Sequence, residues 1–185
     1  MLVPRPETEV LIELALARLA GRPRVLDLGT GSGIVAVSLA LECPAADVVA
    51  VDLSPAALAV ARNNAGRLGA AVRYVDSDWY AALGGERFDL IVANPPYIAA
   101  DDPHLSGDGL PCEPQMAPTD GDGLSCIRVI VAGAAAHLTA GGWLLFEHGY
   151  DQGAASRNLL AAAGFQDAFT QPDLAGNDRV SGGHL

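Results

Sequence analysis

Two kinds of hydrophobic pattern alternate along this chain: short runs rich in β-branched residues, and longer segments with helical spacing. The short runs predict strands at residues 25–28, 48–51, 72–75, 88–93 and 143–147. The longer segments predict helices at residues 34–41, 56–68, 123–138 and 151–163, and an opening helix from Pro6 toward Gly21. Because strands alternate with helices, the pattern indicates an α/β fold with a mostly parallel, doubly wound sheet and helices on both faces.

Local signals sharpen some of these boundaries. Ser54 and Pro55 are typical of a helix N-cap and first position, and Gly69 is typical of the residue that ends a helix. Residues 165–170 and 179–181 predict a closing antiparallel hairpin, which brings the sheet to seven strands. Residues 94–123, rich in Pro, Gly and Asp, predict one long irregular connection at the ligand-binding edge of the sheet.

Composition limits the possible classes of protein. With 185 residues, 50% of them hydrophobic, the chain suits a single globular domain over residues 1–185. The 11 basic and 22 acidic residues give a net charge of −11, which argues against nucleic acid as a direct partner. The three cysteines form no disulfide or zinc pattern, and neither a signal peptide nor a membrane span is evident. We therefore expect a soluble cytoplasmic protein without a metal.

A glycine-rich turn follows the first predicted strand. Glycine at 29, 31 and 33 lets the backbone turn sharply and approach a ligand closely. The spacing G-x-G-x-G differs from the G-x-G-x-x-G that holds a dinucleotide pyrophosphate, so it suits a ligand without phosphates. Asp52 ends the second strand, where its carboxylate can accept hydrogen bonds from both ribose hydroxyls of a nucleoside. After the third strand, Trp79 is predicted to pack on adenine, with the Asp78 carboxylate near the adenine amino group.

The chemistry is predicted at Asn94, Pro95, Pro96 and Tyr97, directly after the strand at 88–93. Two consecutive prolines fix the backbone into a rigid bracket whose oxygens point outward. The Asn94 side-chain oxygen and the Pro95 carbonyl can each accept one N–H of a planar NH₂ group, which aims that nitrogen at a methyl donor and stabilises its developing positive charge. Tyr97 is expected to pack on the planar group. This pattern indicates methyl transfer to an NH₂ nitrogen, on either adenine or an amide.

Other readings remain open from the residues alone. A dinucleotide-dependent dehydrogenase shares the strand, turn and acidic residue but leaves the two prolines unexplained. A non-catalytic subunit with the same fold is also conceivable. His148 is interpreted as a structural histidine, and Cys112 lacks a basic partner that would make it a nucleophile.

The chain resembles the release factor glutamine methyltransferases, the PrmC/HemK family, over essentially its whole length. The matching segments are, in family order, Leu-Val-Pro-Arg-Pro-Glu-Thr-Glu at 2–9, Leu-Asp-Leu-Gly-Thr-Gly-Ser-Gly at 26–33, Asn-Pro-Pro-Tyr-Ile at 94–98, Glu-Pro at 113–114, Asp-Gly-Leu at 122–124 and Glu-His-Gly at 147–149. Two departures stand out: the family's N-terminal helical domain does not precede this segment, and residues 107–118 follow the family pattern only loosely.

The resemblance implies a class I S-adenosylmethionine (SAM) methyltransferase, Rossmann-like, that releases S-adenosylhomocysteine. Its substrate would be the glutamine of the Gly-Gly-Gln motif in class I peptide chain release factors. The cofactor site would comprise Gly29, Thr30, Gly31, Ser32, Gly33, Asp52, Trp79 and Asn94. The substrate site would comprise Asn94, Pro95, Pro96 and Tyr97, with Asn94 and Pro95 as the catalytic groups. Methylation of adenine in nucleic acid is the alternative.

Overall fold

A computed structural model of the chain describes residues 6–96 and 122–185. Within these residues it contains five helices and seven strands. In chain order they are α1 (Pro6–Leu16), β1 (Arg24–Leu28), α2 (Ile34–Glu42), β2 (Asp47–Asp52), α3 (Pro55–Leu68), β3 (Val72–Asp76), β4 (Phe88–Ala93), α4 (Ser125–His137), β5 (Leu138–Glu147), α5 (Gly153–Ala162), β6 (Gln166–Pro172) and β7 (Asp178–His184). Most of the predicted connection at 94–123 lies outside the described residues.

The seven strands form one sheet in the order β3-β2-β1-β4-β5-β7-β6. Neighbouring strands from β3 to β5 are parallel, whereas β7 is antiparallel to both β5 and β6. The strand order reverses between β1 and β4, which is where open α/β sheets bind their ligands. The predicted fold class, including the C-terminal antiparallel hairpin, is confirmed.

Helices cover both faces of the sheet. On one face, α1 and α2 pack on a cluster that contains Val25, Val48 and Val92. On the other, α4 and α5 pack on a cluster that contains Leu26 and Ile91. Within the described part of the chain, every helix is too short or too polar to span a bilayer. Residues of the central strands alternate between the two clusters, so these strands are buried on both sides and their sequences are nearly continuous apolar runs.

Several predicted boundaries are confirmed. The Ser54 hydroxyl accepts a hydrogen bond from Ala57 N at 3.3 Å, and Pro55 occupies the first turn of α3. Gly69 ends this helix with φ of 72°. The predicted ends of α1 and α4 differ from the observed ones. Residues after Leu16 form tight turn bonds instead of continuing toward Gly21, and the chain is already extended at 138, the predicted end of α4.

Gly133 lets α4 approach the side chain of Tyr80. The Tyr80 hydroxyl donates to Ile130 O at 2.8 Å, and its ring stacks on His137 with centroids 4.8 Å apart. A Cβ added at Gly133 would overlap the Tyr80 ring, which these two contacts hold in place. The close approach of α4 to the rest of the fold therefore depends on glycine at 133.

We expect Gly133→Ala to lower the free energy of unfolding by about 1–3 kcal/mol, because overpacking outweighs the better helix propensity of alanine. Gly66→Ala is the matched control, since Gly66 lies in α3 with open space around its Cβ position. That control should raise stability by about 0.5–1 kcal/mol. Urea unfolding of both variants measures the difference, and equal effects of the two replacements would contradict the packing argument.

Candidate active site

The strand register brings the carboxyl ends of four parallel strands together. Leu28 in β1 lies opposite Val51 in β2 and Ala93 in β4, and Ala93 lies opposite Phe146 in β5. The residues that follow these four positions therefore meet at one edge of the sheet: Gly29, Asp52, Asn94 and Glu147. Two of the predicted sites, the glycine turn and the proline bracket, are neighbours because β1 and β4 are paired.

The glycine turn has the sharp bend that its sequence predicts. Gly29, Gly31 and Gly33 have φ of 67°, 56° and 83°, which side chains disfavour. A Cβ at Gly33 would lie 3.0 Å from the Cβ of Ala61, so glycine also lets the start of α2 pack closely on α3. The space beside Gly31 is open. The nearest atom to a Cβ built at this position would be Gly29 O, which lies 4.0 Å away in the same turn. The turn therefore exposes backbone to a ligand on that side.

Two further polar contacts hold this turn. Thr30 N donates to Val51 O at 2.9 Å, which ties the turn to the end of β2. The Asn64 side chain on α3 donates to Ser32 O at 2.9 Å. Thr30 is itself buried, and its hydroxyl is directed into the protein. In this arrangement Thr30 and Ser32 contribute to the shape of the turn.

Asp27 in β1 carries a buried carboxyl group that the sequence analysis did not include among the site residues. It is 1% exposed, and its Oδ2 accepts from Thr30 Oγ1 at 2.6 Å and from Ala36 N at 3.2 Å. Burial raises the pKa of Asp27 to about 6; the two hydrogen bonds oppose this rise, and the negative charge of Asp52 adds to it. A lone carboxylate within an apolar strand is the sequence signal that could have indicated it.

This carboxyl group makes stability depend on pH. Because the folded-state pKa of about 6 exceeds the ordinary value of 3.8, its contribution is complete below pH 3.8 and is lost as the pH rises through 6. The loss amounts to about 3 kcal/mol. We expect Asp27→Asn to remove it, so the stability difference between the native protein and this variant should change by that amount between pH 3 and pH 7. Urea unfolding at each pH tests this, and a constant difference would contradict it.

Asp52 links the glycine turn to the start of α3. Its Oδ2 accepts from Gly31 N at 2.9 Å, and its Oδ1 accepts from Ser54 N at 2.8 Å. Each carboxylate oxygen has a second lone pair, so both oxygens can still accept a hydrogen bond from a ligand. Asp52 is only partly buried, which leaves this side of the carboxylate reachable.

Trp79 flanks the same turn from the end of β3. Its Cζ3 atom lies 3.7 Å from the Cβ position of Gly29, and its backbone has a positive φ of 47°. The Trp79 carbonyl accepts from the Ser77 hydroxyl at 2.9 Å, which supports this uncommon conformation. The indole is partly buried against the core, whereas Asp78 is exposed. The Trp79 ring thus lies beside the predicted nucleoside site.

The first three residues of the proline bracket follow β4 directly. Asn94 is partly exposed, Pro95 is buried and Pro96 is exposed. The Asn94 Nδ2 atom donates to the Thr8 hydroxyl at 3.1 Å. Tyr97, Cys112 and the Glu-Pro pair at 113–114 lie outside the described residues, so the predicted packing role of Tyr97 stays a prediction.

Thr8 and Glu147 complete a hydrogen-bonded chain behind Asn94. The Thr8 hydroxyl donates to Glu147 Oε2 at 3.0 Å, and both side chains are buried. Thr8 lies in α1, and Glu147 lies 139 positions further along at the end of β5. Both residues lie within the family-like segments at 2–9 and 147–149, but neither was predicted to belong to the site. Glu147 is a polar residue at the end of an apolar strand, which was the available signal, whereas Thr8 stands between two glutamates and carried no such signal.

His148 has the structural role predicted from the sequence. It is fully buried, and its ring nitrogens pair with Gly149 O and Ser181 Oγ, both at 2.8 Å. Burial lowers the pKa of His148, so it is neutral near pH 7. In the part of the chain that the structure describes, no cluster of three His, Cys, Asp or Glu side chains could hold a metal ion.

The chain is similar in sequence to known methyltransferases. The family model for the methyltransferase small domain matches residues 6–106. The release factor glutamine methyltransferase of Bordetella pertussis is 56% identical, and the alignment covers 100% of this chain and 70% of that protein.

Solved structures agree with the sequence comparison. The release factor-specific protein-(glutamine-N5) methyltransferase of Alicyclobacillus acidocaldarius has a TM-score of 0.62 at 33% identity, covering 98% of this chain and 93% of that one. The 16S rRNA N2 G1207 methyltransferase of T. thermophilus, solved with AdoMet and guanosine, has a TM-score of 0.72 at 24% identity. It covers 98% of this chain and 43% of that one, and at this identity it shows the fold alone.

Proposed function

This chain belongs to the release factor glutamine methyltransferase family, and we propose that it methylates the side-chain nitrogen of the glutamine in the Gly-Gly-Gln motif of class I peptide chain release factors. The methyl donor is SAM. One observation carries the assignment: β1–β4 pairing sets Asn94 beside the glycine turn, with its NH₂ group engaged by Thr8. Family membership favours methyl transfer over hydride transfer, an enzyme over a non-catalytic subunit, and glutamine over adenine.

The residues at this edge fit SAM. Asp52 has lone pairs available for both ribose hydroxyls, and the Trp79 ring lies where an adenine would pack. Open space above Gly31 admits a ligand close to the backbone. SAM carries a sulfonium cation, and the carboxylates of Asp27 and Asp52 are nearby negative groups that favour a cation. We assign Gly29, Thr30, Gly31, Ser32, Gly33, Asp52, Trp79 and Asn94 to cofactor binding.

The catalytic groups act on the substrate amide. An amide nitrogen is a poor nucleophile because its lone pair is delocalised into the carbonyl group. In the proposed mechanism Asn94 Oδ1 and Pro95 O each accept one N–H of the glutamine, which orients the nitrogen and stabilises its developing positive charge. Pro96 and Tyr97 complete the substrate site. SAM would supply the electrophilic methyl group: as the nitrogen–carbon bond forms, the sulfur–carbon bond of SAM would break, and S-adenosylhomocysteine would be the second product. The surplus proton then leaves to water.

The remaining assignments are part of the same proposal. Residues 1–185 form one catalytic domain, and the reaction requires no metal. The partner is a class I release factor, a protein of translation termination, which places the reaction in the cytoplasm. A net charge of −11 supports a protein substrate over direct contact with nucleic acid or an anionic membrane.

Mass spectrometry tests this function directly. The chain is incubated with SAM carrying a deuterated methyl group and a purified class I release factor, and the peptide that contains the Gly-Gly-Gln motif is then fragmented. We expect one labelled methyl group on the glutamine side chain. A release factor with alanine in place of that glutamine is the control and should stay unlabelled. Label in DNA or RNA, with none in the release factor, would contradict the proposal.

A further inference from the structure

We propose that Thr8 and Glu147 are positioning residues that fix the direction of the Asn94 side-chain amide, so that its oxygen faces the substrate. Three side chains form a hydrogen-bonded chain: Glu147 Oε2 accepts from Thr8 Oγ1 at 3.0 Å, and Thr8 Oγ1 accepts from Asn94 Nδ2 at 3.1 Å. Thr8 is 4% exposed and Glu147 is 1% exposed. This inference rests on the proposed function of Asn94 and adds a reason for its geometry.

The donor-to-acceptor direction of these two hydrogen bonds follows from counting protons. Glu147 Oε2 accepts the proton of the Thr8 hydroxyl, and a threonine hydroxyl has only that single proton to donate. Because Thr8 gives that proton to Glu147, its oxygen can only accept from Asn94. The Asn94 NH₂ group must therefore face Thr8, and the amide oxygen must point the opposite way.

Direction matters because the two ends of an asparagine amide have nearly the same shape and opposite hydrogen-bonding roles. With the oxygen forward, Asn94 accepts from the substrate nitrogen and stabilises positive charge. With the NH₂ group forward, two donors would oppose each other, and the amide dipole would repel the charge that develops during methyl transfer. The wrong orientation therefore removes the stabilisation that Asn94 supplies even though the residue is present.

The fold holds each member of the chain in place. The pairing of Ala93 with Phe146 sets Asn94 and Glu147 side by side on adjacent parallel strands. Thr8, Leu11 and Ala15 are buried residues with helical spacing, so they form one face of α1. Packing of that face directs the Thr8 hydroxyl into the space between Asn94 and Glu147. Neither strand could select the amide direction without the helix.

Thr8→Val tests the hydrogen-bonded chain, because valine keeps the shape of threonine and lacks the hydroxyl. We expect kcat for the release factor to fall about tenfold, with the KM for SAM nearly unchanged and the melting temperature lowered by a few degrees, because the buried Glu147 oxygen loses a donor. Thr8→Ser keeps the hydroxyl and should retain kcat within about twofold. In an Asn94→Ala background, Thr8→Val should have no further effect. An equal loss in that background would assign Thr8 a merely structural role and overturn the proposal.

A second measurement does not depend on activity. In ¹⁵N NMR spectra the Asn94 side-chain NH₂ signal, assigned by its loss in Asn94→Ala, should show slow hydrogen exchange that becomes fast in Thr8→Val. Unchanged exchange would contradict the positioning role, whatever the substrate proves to be. If exchange changes as expected but the native chain leaves the release factor unmethylated, the orientation holds and the proposed function is wrong.

Discussion

Asn94→Ala is expected to lower kcat for methylation of the release factor by about 10²–10³-fold, the effect of removing one preorganised acceptor from a developing charge. SAM affinity should change little, because the contacts proposed for SAM come mainly from the glycine turn, Asp52 and Trp79. Initial rates with radiolabelled SAM give kcat, and calorimetry gives the dissociation constant of SAM. The separation of the two quantities is the central expectation.

Asn63→Ala is the matched control for this variant. Asn63 is an exposed residue of α3, so the same replacement there should leave both kcat and SAM binding unchanged. If Asn94→Ala turned over normally, the bracket mechanism would be wrong. If it lost SAM binding in proportion to kcat, Asn94 would act on the cofactor and not on the glutamine.

The fold could be predicted from the sequence largely because its signals are local. Residues 88–93 form an apolar run interrupted only by Asp89, and β4 has those bounds. Ser54, Pro55 and Gly69 act within one turn of their own helix, so α3 was predicted almost to the residue. The end of α1 was misplaced because Leu19 continues the apolar pattern although the chain has already left the helix.

The candidate site was only partly predictable, for a different physical reason. The glycine turn, Asp52 and Asn94 each follow a recognisable strand, and parallel pairing must bring strand ends together. The contact between Thr8 and Glu147 joins positions 139 residues apart and depends on where α1 packs, which no local pattern specifies. Similarly, the raised pKa of Asp27 depends on burial, which requires α2 to pack over β1.

Asp52→Ala is expected to weaken SAM binding by about 10²–10⁴-fold. Two hydrogen bonds from ribose hydroxyls to a carboxylate contribute about 1.5–3 kcal/mol each, and every 1.4 kcal/mol corresponds to about tenfold in affinity. The same replacement also releases Gly31 N and Ser54 N, which Asp52 holds in the described structure. Asp52→Asn retains one acceptor oxygen and the side-chain shape, so its loss should be smaller, about tenfold. Calorimetric titration with SAM and with S-adenosylhomocysteine measures both variants.

Asp76→Asn is the matched control, because Asp76 lies opposite Asp52 in the sheet register, is exposed, and has no proposed contact with SAM. We expect native SAM affinity in that variant. Weaker SAM binding there would attribute the effect to the overall negative charge at this edge of the sheet. If Asp52→Ala bound SAM with an affinity within about threefold of the native value, Asp52 would not bind the ribose. Even one hydrogen bond to a charged group contributes more than a threefold change in affinity. The cofactor would then be held by the turn backbone and Trp79 alone, and the fold at this edge would serve SAM through shape more than through charge.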